Sequence, residues 1–160
     1  MSYLVGFFDG EGNIGTYAGG GTGRTLRVQI TQNRSPKVDR IFYNLRDKYD
    51  GAICELKRES RRCAYIYQTS GCGAASLLRD MLPYLVLKRD QADLALLWFD
   101  NRPPRMRDDK GRLLRRDPRD VDLSKRVSDL LKEMKRSNNY EEDLVEIKHE
   151  LRQVLNVKGD

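Results

Sequence analysis

The chain has 160 residues, 39% hydrophobic and 34% charged, which suits one globular domain with a real core and is short for two. Its 30 Lys and Arg outnumber 24 Asp and Glu, and the net charge of +6 favours a polyanionic partner. No apolar run approaches the roughly 18 residues of a membrane span, and no basic, apolar leader opens the chain. An intracellular protein without a membrane partner is expected, in an organelle or a bacterial cytoplasm, the sequence not deciding which. Cys54, Cys63 and Cys72 lack C-x-x-C spacing and the sole histidine is His149, a ligand set that argues against zinc and for reduced thiols.

Residues 2–11, SYLVGFFDGE, read as a helix with Ser2 at its N-cap, ended by Gly12. A strand follows through NIGTY, then the glycine-rich tip AGGGTG. Across RTLRVQITQ, residues 24–32, apolar and polar positions alternate. Leu26, Val28 and Ile30 form one face, and Thr25, Arg27, Gln29 and Thr31 the other. Ser35 and Pro36 open a helix whose apolar stripe is Val38, Ile41, Phe42 and Leu45. Asp50-Gly51 turns the chain into a second hairpin, AICELKR and CAYIYQTS joined by ESRR. Helices are predicted over 73–82 and 87–101, near 122–136 and over 140–155, the last with Asn139 and Glu142 at capping-box spacing. Two hairpins interleaved with helices make an α+β domain: an antiparallel sheet with helices on its apolar face and an open polar face.

Between Arg102 and Arg119, basic residues at 102, 105, 107, 110, 112, 115, 116 and 119 stand against acids at 108, 109, 117 and 120. This run either supplies phosphate contacts or is a solvated linker. In the opening helix, Gly6 and Gly10 lie four apart and so share one face without side chains. They either fit the protein's own sheet or let another backbone approach. Asp9 and Glu11 sit at the C-terminal end of that helix, where carboxylates oppose the macrodipole at a cost of about 0.3–1 kcal/mol. A bound cation would remove the cost.

The stretch LVGFFDGEG at 4–12 resembles the signature of the LAGLIDADG homing endonucleases, with Leu4, Gly6, Asp9 and Gly12 keeping the signature letters. VQITQ at 28–32 resembles the end of that family's second strand. LPYLVLKRDQADLALL at 82–97 is similar to its later P-x-L-x-x-K-x-x-Q-A segment, and beyond Pro103 the likeness fades.

The resemblance implies an αββαββα core over residues 1–101, its sheet forming a DNA-binding saddle, with 102–160 as a basic linker and C-terminal helices of the same domain. It implies a homing endonuclease that cleaves both strands of a long, near-palindromic double-stranded DNA target. A single motif copy implies a homodimer through Tyr3, Gly6, Phe7 and Gly10. Glu11 takes the position of the metal-binding acid, more often Asp in the best-known single-motif members, and the Gly10 carbonyl joins it. Hard oxygen ligands suit Mg²⁺, with Mn²⁺ as a substitute. Gln32 matches the family's residue that orients active-site water, and Lys88 its basic residue near the scissile phosphate. Without the resemblance Lys88 reads as an exposed lysine at a helix N-terminus. Candidates for base reading on the polar sheet face are Asn13, Tyr17, Arg24, Thr25, Arg27 and Gln29, with Lys57, Arg62 and Gln68 from the second hairpin. A merely solvated sheet face is the alternative. The second functional reading is a non-cleaving nucleic-acid binder on the same fold, an intron-RNA maturase or a DNA-binding regulator, which would make host intron RNA a partner.

Overall fold

The alternation around Leu26, Val28 and Ile30 produces the longest strand of a four-stranded antiparallel sheet, with all three side chains fully buried. In this computed structural model the described residues are 2–18, 23–56, 64–103, 106–112, 114–137 and 139–156. The elements run α1 (Ser2–Glu11), β1 (Gly12–Ala18), β2 (Arg24–Asn33), α2 (Pro36–Tyr49), β3 (Ala52–Leu56), β4 (Ala64–Ser70) and α3 (Cys72–Met81). After a short 3-10 turn at Leu82–Tyr84 come α4 (Arg89–Asp100), α5 (Pro118–Glu133) and α6 (Glu141–Asn156). The strand order is β1-β2-β4-β3, so the two hairpins meet along β2 and β4 with Gln29 opposite Gln68 and Arg27 opposite Ser70. β3 closes the edge, with Ala52 opposite Gln68 and Cys54 opposite Ile66. This is the α+β, αββαββα order with C-terminal helices expected from the sequence.

Two compact units make up the chain, one of Met1–Ile14 with Leu26–Ala92 and the other of Gly15–Thr25 with Asp93–Asp160. In the first, Val5, Phe8, Val28, Ile30, Phe42, Leu45, Tyr67, Leu78 and Met81 are buried together. Ser35 caps α2 by accepting from the Val38 N–H at 3.3 Å, with Pro36 in the first turn. The Tyr67 hydroxyl donates to the Asp50 carbonyl at 2.7 Å, and burial pushes this phenol up to about 12. Gly51, at φ 115°, is required by the turn, because a Cβ there would fall 2.3 Å from the Gln68 carbonyl oxygen.

In the second unit, buried Trp98, Leu94, Val127, Leu131, Ile147 and Leu151 form the core. The Trp98 indole donates to the Ser124 hydroxyl at 3.1 Å, and the Arg102 guanidinium lies 4.4 Å from its ring centroid. α5 starts at Pro118 rather than near 122, because Asp117 caps it through the Arg119 N–H at 2.8 Å. α6 begins from Tyr140, whose carbonyl accepts from Leu144 at 2.9 Å, so Asn139 does not cap it as its spacing suggested. Among the described residues, no helix is long and apolar enough to cross a membrane.

Candidate active site and nucleic-acid interface

The site begins where α1 hands over to β1. Gly12 is demanded there: a Cβ would lie 2.4 Å from the Phe8 ring and 2.5 Å from the Phe8 carbonyl oxygen. The two motif acids then have opposite fates. Asp9 is buried, and its carboxylate accepts the backbone N–H groups of Val86 at 2.8 Å, Leu87 at 3.2 Å and Lys88 at 3.0 Å. Those amides precede α4, which is why that helix starts at Arg89 and not at 87. Glu11, two residues on, is exposed at the helix end.

Lys88 completes the arrangement. Its ammonium donates to the Asp9 carbonyl, placing a cation at the C-terminal end of α1, where the macrodipole favours one. Part of the relief assigned from sequence to a bound cation is thus supplied by the protein. Burial pushes the Lys88 ammonium below its ordinary value, while the charges of Asp9 and Glu11 pull it back. Three of the residues singled out from sequence, Glu11, Gly10 and Lys88, therefore gather at one helix end. The structural role of Asp9 was missed. Its signal was the run Leu85-Val86-Leu87 after Pro83, a break in helical pattern whose amides need an acceptor. Asp9→Asn should lower stability by at least about 1.5–3 kcal/mol, the worth of a hydrogen bond to a charged group, read as a lower urea midpoint at unchanged slope.

Gln32, the last residue but one of β2, is half-buried, opposite Tyr65 and on the parity of Leu26, Val28 and Ile30. Its side-chain carbonyl accepts from the Asn33 N–H at 2.9 Å. Among the described residues no hydrogen bond joins it to Glu11 or Lys88. Nor does any group of three or more His, Cys, Asp or Glu there suit a metal ion. An exposed carboxylate with a neighbouring main-chain carbonyl is a hard-oxygen donor set of the kind Mg²⁺ takes, but one chain supplies only part of it.

The polar sheet face carries a row of amides across three strands. The Asn13 Nδ2 donates to Gln29 Oε1 at 3.5 Å, and the Gln29 Nε2 donates to Gln68 Oε1 at 3.1 Å. Beside it the Arg27 Nε donates to the Ser70 hydroxyl at 3.4 Å. The pairing of Gln29 with Gln68 puts Gln68 on this face, together with Ser70, Ile66 and Cys54, which sequence reading had not named. Thr25 shares the parity of Arg27 and Gln29, and the half-buried Tyr17 ring passes over Gly15, where a Cβ would lie 3.2 Å from it.

Arg24 is a correction. Strand parity groups it with Leu26, not with Arg27, and its guanidinium donates inward to the Thr16 carbonyl at 3.1 Å and the Ser128 hydroxyl at 2.9 Å. Its charge, not its register, had suggested the polar face. Lys57 and Arg62 lie outside the described residues.

The outer side of α1 explains its glycines. A Cβ at Gly6 or Gly10 would meet nothing within 4 Å, so packing on the protein's own sheet does not call for glycine at either position. Tyr3, 72% exposed, stacks on Phe7 with centroids 6.3 Å apart and planes 7° from parallel. Val86 and Leu87, tied to α1 through Asp9, are 79% and 75% exposed. An apolar, side-chain-poor strip is thus presented outward.

The sheet order, the interleaved helices and the motif helix make up the fold of the LAGLIDADG homing endonucleases. The chain is similar to the homing endonuclease I-CvuI, solved on the I-CreI target with Mg and uncleaved DNA. Identity is 19%, coverage 94% of this chain and 92% of that one, and the TM-score 0.60. I-CvuI on its own target with Ca gives the same identity, coverage and TM-score. The LAGLIDADG meganuclease I-AabMI, solved on uncleaved DNA, overlaps 62% of this chain and 35% of its own at 20% identity, with a TM-score of 0.46. No protein-family model matches the sequence, and no curated protein matches it.

Proposed function

We propose that the chain is a site-specific DNA endonuclease that cleaves both strands of a long, near-palindromic duplex as a homodimer, using Mg²⁺ or Mn²⁺. The observation that carries this reading is the division between the two motif acids. Asp9 is consumed by three backbone amides, while Glu11 is held exposed beside Lys88 at the end of a helix with a bare outer face. In the dimer, Glu11 and the Gly10 carbonyl of each protomer would hold the metal, whose chemistry when bound is to activate water and stabilise the leaving 3′-oxygen. Lys88 places positive charge near the scissile phosphate, and Gln32 orients water. Incubating the protein with Mg²⁺ and a randomised duplex library tests the reading. Recovery of cut ends around one consensus supports it. Enrichment of bound but intact duplexes would replace it with the non-cleaving binder.

The amide row reads bases, since Gln and Asn match adenine in the major groove with paired hydrogen bonds. Because Gln29 bonds both Asn13 and Gln68, the three orient one another. Gln29→Ala and Gln68→Ala should each cost about 1–3 kcal/mol of discrimination at their base pairs. The double variant should fall short of the sum by about 0.5 kcal/mol or more, as for residues in one network. Competition binding on single-base target variants measures this, and strict additivity would dissolve the row into independent contacts.

A further inference from the structure

A cavity of about 210 Å³ in the second unit is lined by Arg24, Arg116 and Lys125, with Val121 and Ser124 beside them and, among the described residues, no acidic one in its walls. One water takes about 30 Å³ of the liquid, so the space admits a phosphate group with waters around it. Arg24 is fixed rather than waving: its two bonds to the Thr16 carbonyl and the buried Ser128 hydroxyl hold the planar guanidinium at the cavity wall. The Arg116 Nε–H is buried and, among the described residues, has no hydrogen-bond partner. A buried charged donor is costly until an acceptor arrives, and Arg116 borders this cavity and two neighbouring hollows, so an anion in any of the three is such an acceptor. Asp129 is within electrostatic reach of Lys125 and Arg24, yet its carboxyl is held below the ordinary value chiefly by its hydrogen bond from Lys132 at 2.7 Å. It is therefore already engaged outside the cavity. Arg116 borders Asp117 and Asp120 in a neighbouring hollow, so Lys125 is the cleaner probe.

We infer that this cavity is a phosphate-binding site and that it takes a backbone phosphate of duplex DNA. Only the source of the phosphate rests on the endonuclease reading. The site clamps the duplex in register and carries no base information.

The test uses the full chain with Lys125→Gln and Arg116→Gln, and Arg152→Gln as a control of equal charge change at an exposed position of α6. DNA affinity is measured against salt on cognate and scrambled duplexes, and pyrophosphate binding is measured alone by calorimetry. Each pocket variant is expected to weaken binding to both duplexes equally and to lower the salt slope by about 1, with the control leaving less effect. Loss of pyrophosphate binding with DNA affinity and slope unchanged would overturn the DNA assignment. Pocket variants indistinguishable from wild type in both assays would overturn the site itself. Wild-type protein that binds no DNA would sink the endonuclease reading and the DNA source with it, while the pyrophosphate arm still decides whether phosphate is bound.

Discussion

Glu11→Gln protein is expected to bind its DNA target and fail to cut it. The substitution keeps the length of the side chain and its exposed place at the end of α1, and removes only the charge a divalent ion requires. Since the proposed site takes one acid from each protomer, a single substitution withdraws both. Water activation and leaving-group stabilisation depend on the same ion, so nicking rates should drop by several orders of magnitude. Gel-shift affinity in metal-free buffer should hold or rise, because two carboxylates that repel each other and the phosphates are gone. Stability should hardly change, because no hydrogen bond of Glu11 is broken among the described residues. Asp9→Asn gives the opposite signature: a protein destabilised through residues 86–88, whose remaining folded fraction keeps Glu11 in place. Parallel nicking, gel-shift and urea measurements on the two variants separate the acids. Near-normal cleavage by Glu11→Gln would exclude it as the metal acid.

The helix–hairpin–helix–hairpin order was legible because each part is a local signal: alternation in β2, the Ser35-Pro36 start of α2, the Asp50-Gly51 turn. Asp117-Pro118 was an equally local start signal for α5 and was passed over inside the basic run. Other features have no local signature. α4 starts late because an acid from α1 takes the amides of residues 86–88, a contact between segments far apart in sequence. Arg24 was misplaced although period-two counting from Leu26 puts it on the buried parity; its charge outweighed its register. The amide row needed the β2–β4 register, because residues 13, 29 and 68 come from three strands that only the sheet order makes neighbours. The resemblance supplied roles for Glu11 and Lys88. The physical reason they differ from Asp9 came from burial and hydrogen bonds.

Gly6→Leu and Gly10→Leu are expected to leave a folded monomer that no longer pairs. Within one chain neither change has an evident steric cost, since a Cβ at either position meets no atom within 4 Å. Replacing glycine in a helix also recovers up to about 1 kcal/mol of intrinsic propensity, so thermal stability measured at dilution should hold or rise. The glycines therefore stand where the isolated chain would do better without them. A second copy of α1 approaching across the bare strip between Tyr3, Phe7 and Gly10 gives them a reason: without side chains, the two backbones come closer than the usual 8–10 Å between helix axes. Leucine would overpack such a crossing by about 1–3 kcal/mol, and two-fold symmetry counts it twice. At about 1.4 kcal/mol per tenfold, the dimer should weaken by roughly 30-fold to 10⁴-fold. Double-strand cleavage should fall with the dimer fraction and return in part at high protein concentration. Analytical ultracentrifugation over a concentration series checks the mass, and nicking assays on the same samples check the activity. Wild-type protein that sediments as a monomer both free and on DNA would remove the homodimer, as would leucine variants that stay fully dimeric.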